Sequence, residues 1–277
     1  MLSYLHGFHA GNFADVHKHF TLCCMLEALT RKEKPFCYLE THSGRALYDF
    51  DDPQALKNRE FEQGIARLWS LDVTADDAAV YLQTVAAFNR VALRSYPGSP
   101  CIAQHFAREA DKLLLMELHP TEAAALKRQF RADKRVAVHN RDGYEGVLSL
   151  LPPKPNRGMV LIDPSYEEKN EYDQVITFLQ KATKHWSNGS FAIWYPLLEA
   201  NRWKTMKNKL KRSGIRNVLC SEIEVNHSDN GGMYGSGMLL VNPPWPLEQR
   251  LKEVMPGLTK RLKQEASECR LDWLVPE

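Results

Sequence analysis

Three observations predict an α/β fold: seven short apolar runs with strand character, helix-like stretches between most of them, and one interval that breaks the rhythm. The runs are 36–41, 112–118, 135–139, 158–163, 190–195, 218–225 and 237–242. Helical periodicity fills 121–131, 143–150, 172–186 and 199–213. Strands alternating with helices imply a largely parallel sheet with both faces covered. The last two strands are joined by 226–236, rich in Asn, Asp and Gly and without a helix. A parallel crossover would normally need a helix, so the last strand is expected to run antiparallel.

Residues 1–34 form an N-terminal segment and helix. Asn12 can cap that helix, Asp15 sits at its third position, and Phe13, Val16, Phe20, Cys24 and Leu26 make one apolar stripe. The basic stretch 31–34 followed by Pro35 stops it. From 49 to 96 there is no strong strand, but helical spacing runs through Phe61, Ile65, Leu68 and Trp69, then Val80, Val85 and Phe88. The expectation is a small helical subdomain inserted between strands one and two, closed by a turn at 96–100. The 277 residues then read as one domain with an insert.

Composition bounds the function. Thirty-six Lys and Arg against 34 Asp and Glu leave a net charge of +2, which argues against nucleic-acid binding by bulk charge. Charged residues at 25% and hydrophobic residues at 44% exclude global disorder. No run approaches the ~20 apolar residues of a membrane helix. The start lacks a secretory pattern, and six cysteines without a C-x-x-C pair read as reduced core thiols. The expected location is the cytoplasm, with no membrane, no metal and no obligate protein partner.

In open parallel sheets, ligands bind beyond the C-terminal strand ends. Strand one ends in Glu40-Thr41-His42-Ser43-Gly44-Arg45-Ala46, a small-residue loop suited to close approach by a nucleotide-type cofactor, though without a full glycine fingerprint. Strand two ends in Glu117, where an acidic residue accepts ribose hydroxyls. It lies 73 residues beyond Gly44, and the insert accounts for the excess. Strand three is followed by Asp142-Gly143, where Asp142 can cap a helix, accept from an adenine amine, or both. Strand four runs into Asp163-Pro164-Ser165-Tyr166. An exocyclic base amine is a poor nucleophile because its lone pair is delocalised into the ring. The Asp163 carboxylate and Pro164 carbonyl can accept its two N–H bonds, and Tyr166 can stack on an extruded base. The similar Asn242-Pro243-Pro244-Trp245 follows the antiparallel strand. It is expected to be a stiff exit from the sheet with a packed Trp, facing away from the cofactor edge.

These features resemble the S-adenosylmethionine-dependent adenine-N6 methyltransferases, and more closely the bacterial J-type 23S ribosomal RNA adenine-N6 methyltransferases. The resemblance spans essentially the whole chain. It rests on LSYLHGFHAGNFADVHKH, THSG, YPGSP, MELHP, RDG, LIDPSY, FAIWYP and SGMLLVNPPW. It implies a Rossmann-like methyltransferase sheet and S-adenosyl-L-methionine as cofactor. It assigns cofactor contacts to His19, His42, Ser99, Glu117, Asp142 and Gly143, to which the strand-one loop adds Gly44 and the end of strand four adds Asp163. It places the catalytic acidic residue at Asp163, which joins Pro164 and Tyr166 of the strand-four motif as the catalytic group, and it implicates Tyr4 in substrate contact with His6 and Lys18 as helpers. The chain departs from the family pattern at Ser165, usually a second proline, and at Ala46, usually glycine.

The implied partner is 23S ribosomal RNA. Residues 201–216 carry Arg202, Lys204, Lys207, Lys209, Lys211, Arg212 and Arg216 without an acidic residue, a candidate phosphate-contacting helix. Two alternatives stay open at this level: a DNA adenine-N6 methyltransferase, since the chemistry at N6 is identical, and a non-catalytic nucleic-acid-binding relative.

Overall fold

The computed structural model describes residues 4–69, 77–89, 91–228 and 231–277. After a 3-10 turn at His6–Phe8, the elements in chain order are α1 (Phe13–Thr30), β1 (Cys37–Glu40), β2 (Leu47–Asp49), α2 (Pro53–Asn58), α3 (Ala66–Trp69), α4 (Ala79–Ala86), β3 (Ser95–Pro97) and α5 (Ser99–Phe106). They continue with β4 (Lys112–Met116), α6 (Pro120–Phe130), β5 (Val136–His139), α7 (Gly143–Leu148), β6 (Gly158–Ile162) and α8 (Glu171–His185). The last are β7 (Ser190–Leu198), α9 (Arg202–Lys211), β8 (Val218–Glu224), β9 (Met233–Val241), α10 (Leu247–Leu262) and β10 (Glu268–Val275).

The main sheet has the order β10-β8-β9-β7-β6-β1-β4-β5. β5, β4, β1, β6 and β7 run parallel, while β9 lies antiparallel between β7 and β8. The sheet therefore has eight strands rather than seven. The addition, β10, pairs antiparallel with β8 at the edge. Its residues are half-buried or exposed, so it lacks the continuous apolar run that marks the buried strands. β1 and β6 are buried at every position because helices cover both faces. α1, α4, α5 and α10 contribute to one apolar layer, and α8 and α9 to the other.

Two expectations need local revision. The 96–100 turn is instead the end of β3, which pairs with β2 and is followed at once by α5. β2 and β3 thus bring the two ends of the 49–96 stretch together, and α2, α3 and α4 lie within it. Helix α1 starts as expected, with the Asn12 side chain accepting the Asp15 N–H. However, it is buried on nearly every side, not along one stripe, because sheet and flanking helices enclose it. That enclosure carries Asp15, His17, Lys18 and His19 into the interior.

The Asn242-Pro243-Pro244-Trp245 stretch does lie at the far edge of the sheet. Val241, just before it, pairs with Phe191 and Val218 near the starts of β7 and β8. Its tryptophan is not packed: Trp245 is 86% exposed. Instead, the Asn242 side-chain amide holds the turn by donating to the Ser187 and Gly189 carbonyls.

Candidate active site

A cleft of about 610 Å³ opens at the C-terminal edge of the parallel strands. Tyr4, His6, Lys18, His19, His42, Gly44, Ser99, Glu117, Asp142, Gly143, Asp163 and Pro164 all line it. The sheet topology explains the gathering: β1, β4 and β6 are neighbours, and each ends at the same edge.

The first wall is built on backbone. Gly44 adopts φ +61, and a Cβ there would meet the Tyr48 hydroxyl at 2.4 Å. Its N–H donates to Glu117 Oε2 at 2.7 Å, so the loop after β1 is tied to the residue after β4 despite the 73-residue gap. Glu117 Oε1 accepts the His119 N–H. Both oxygens keep acceptor capacity for a diol. Gly143 is required by close approach, since a Cβ would sit 1.9 Å from the Thr41 carbonyl oxygen. Asp142 caps α7 by accepting the Glu145 N–H at 2.8 Å. Ala46 takes φ +77, the left-handed region that favours glycine, and is fully buried. That backbone costs about 1–2 kcal/mol, partly offset by methyl burial.

The second wall centres on charge. Lys18 Nζ donates to Asp163 Oδ2 at 2.6 Å and lies 2.9 Å from Asp15 Oδ1. Burial alone would lower the Lys18 pKa, but the two carboxylates outweigh it and hold the ammonium above its ordinary value. Burial likewise opposes Asp15 ionisation, yet His6 and Lys18 keep its carboxyl well below the usual range. Asp15 Oδ2 also accepts from Gly11 N and lies 2.9 Å from His6 Nε2. Tyr4 Oη sits 3.0 Å from the other His6 nitrogen.

His17 and His19 diverge, as a two-residue helical spacing requires. His17 lies between Ser236 and Ser221, whereas His19 Nδ1 is 2.8 Å from the Tyr96 hydroxyl. Burial pushes both imidazoles down to about 3. Burial also lowers His42 to about 4. Among the described residues, no group of three or more His, Cys, Asp or Glu side chains is placed to hold a metal ion.

Tyr166 stands apart from the other predicted site residues. Its ring is buried against Tyr172, 4.5 Å between centroids, and its hydroxyl donates to the Trp194 carbonyl at 2.8 Å. It does not line the cleft in this conformation, whereas Trp194 on β7 does. Trp194 and Asp15 also line the cleft, and neither stood out in the sequence: Trp194 lies within an apolar strand and Asp15 reads as a capping residue. Glu40 is fully buried at the end of β1 and accepts the Ser99 hydroxyl. Burial pushes its carboxyl up to about 8.

The wall residues fit a polar, nucleotide-bearing cofactor. His19 Nε2, Ser43 Oγ and Tyr144 Oη are buried beside the cleft without a hydrogen-bond partner. Buried polar groups seldom stay unpaired, so these atoms mark where a ligand would satisfy them.

The sheet is Rossmann-like, with a cofactor-sized cleft at the C-terminal edge of its parallel strands. The family model described as "Ribosomal RNA large subunit methyltransferase D, RlmJ" matches residues 33–275, and the chain belongs to that family. It is similar to Ribosomal RNA large subunit methyltransferase J of Haemophilus influenzae, 43% identical, and of Escherichia coli, 41% identical, each covering 100% of both chains. The crystal structure of protein LPL1258 from Legionella pneumophila is 36% identical with a TM-score of 0.89, covering 96% of this chain and 98% of that one.

Proposed function

We propose that this enzyme transfers the methyl group of S-adenosyl-L-methionine to N6 of an adenine in 23S ribosomal RNA. The observation that carries the reading is the Lys18–Asp163 pair at the end of β6, inside a cleft walled by Gly44, Glu117 and Gly143. The names of its full-length relatives supply the RNA class.

His19, His42, Gly44, Ser99, Glu117, Asp142 and Gly143 would hold the cofactor, which supplies an electrophilic methyl group when bound. Asp163, kept in place by Lys18, accepts one N–H of the target amine, and the Pro164 carbonyl accepts the other. Aligning both bonds turns the nitrogen lone pair toward the methyl, so most of the rate gain is positioning. The nitrogen gains positive charge as it is alkylated, and the Asp163 carboxylate favours that charge. The released proton passes to Asp163 directly or through water. Tyr4 and His6 contact the extruded base from the N-terminal segment. Outside the cleft, exposed cations on α9 and just beyond it give the RNA backbone a track.

Mass-spectrometric mapping of N6-methyladenine in 23S ribosomal RNA, from cells with and without this gene, tests the reading. Loss of one N6-methyladenine on deletion is expected; an unchanged map rejects it.

A further inference from the structure

The cleft holds an aromatic surface that the Asp-Pro-Ser-Tyr motif does not supply. Trp194 lines it from β7, and Lys18 Nζ lies 5.5 Å from the indole centroid. The ammonium that pairs with Asp163 is therefore also the one over the indole ring. The indole is fixed at its far side. Its Nε1–H donates to Ser236 Oγ at 3.0 Å. Ser236 Oγ is 3.0 Å from His17 Nδ1, and His17 Nε2 is 3.1 Å from Ser221 Oγ. His17, Ser236 and Ser221 are all fully buried.

A neutral imidazole has one donor and one acceptor nitrogen, so it can accept from Ser236 while donating to Ser221. Burial keeps His17 neutral at physiological pH. The chain of bonds runs from β8 through α1 to β9 and ends on the one polar atom of the indole. A tryptophan with its N–H anchored in a rigid sheet has little freedom left to lose on stacking.

We infer that Trp194 is the platform on which the target base stacks, and that Ser236 and His17 are positioning residues that set the plane of its indole. This inference rests on the base-methylation reading above. It gives Trp194 a stacking task beside the Asp-Pro-Ser-Tyr motif, whose Tyr166 hydroxyl donates to the Trp194 carbonyl.

The test uses unmodified 23S ribosomal RNA transcribed in vitro, with cofactor affinity measured separately by calorimetry. Trp194→Ala is expected to lower kcat/KM for RNA about ten- to a hundredfold, the range for lost base stacking, with S-adenosyl-L-methionine affinity unchanged. Trp194→Phe should recover most of the loss. Ser236→Ala should lower kcat/KM several-fold with Trp194 present, and have no further effect in the Trp194→Phe background, because phenylalanine has no N–H to anchor. Full activity in Trp194→Ala overturns the inference. So does an equal cost of Ser236→Ala in both backgrounds, which would mark a purely structural role. A wild-type enzyme that binds cofactor but methylates no adenine overturns the parent reading, and this inference with it.

Discussion

Asp163 and Lys18 are 145 residues apart in the chain and 2.6 Å apart in the cleft. Asp163 could be found from sequence, because an apolar strand ending in Asp-Pro is a local pattern. Its partner could not, because the pairing depends on how α1 lies across the sheet. We expect Asp163→Ala to lower methyl transfer about 10²- to 10⁴-fold, the scale of a lost acid–base group, while calorimetry shows cofactor binding largely retained. Glu40 gives a pH prediction for the free protein. Burial raises its folded pKa to about 8 from an ordinary 4.5, so the folded state binds more protons than the unfolded chain between those values. Its contribution to stability is therefore present below the unfolded value and is lost as pH rises toward 8, with a slope of at most ~1.4 kcal/mol per pH unit. The melting temperature of wild type should show this fall between pH 6 and 8, and Glu40→Gln should flatten it.

At the scale of elements, strand ends and helix caps carried most of the legible signal. Asn12 and Asp142 cap α1 and α7 as their residue types suggest. Gly143 is clearer in three dimensions, where α7 presses against the carbonyl after β1. Gly143→Ala must push α7 off that carbonyl. A loss of about 1–3 kcal/mol, typical of overpacking, should appear in thermal unfolding, together with cofactor affinity weakened at least about tenfold, a loss of ~1.4 kcal/mol. α10 and β10 escaped the sequence reading for different reasons. α10 carries Pro256 within it, which reads as a break. β10 is an edge strand whose neighbour β8 supplies its hydrogen bonds, so pairing rather than apolar content makes it a strand.

Across the whole molecule, the near-zero net charge hides a separation. The 49–96 stretch carries eight acidic against five basic residues, while 201–216 is wholly basic. The fold trims that basic run. Lys207 pairs with Glu222 at 2.7 Å and Lys209 with Asp173 at 2.5 Å, leaving Arg202, Lys204, Lys211, Arg212 and Arg216 exposed as its candidate phosphate contacts. Replacing Arg202, Lys204, Lys211 and Arg212 with alanine should weaken RNA binding and flatten its salt dependence; filter binding across a salt series reads both. An unchanged slope would remove α9 from the RNA track. The sequence by itself determined the alternation of strands and helices, the antiparallel last turn of the sheet and the strand ends that line the cleft, because periodicity and strand-end chemistry are local. Only the tertiary structure decided that Lys18 serves Asp163, that Tyr166 is buried while Trp194 faces the cleft, and that two of seven basic side chains are already neutralised. Those outcomes depend on which distant side chains share a space, and packing alone sets that.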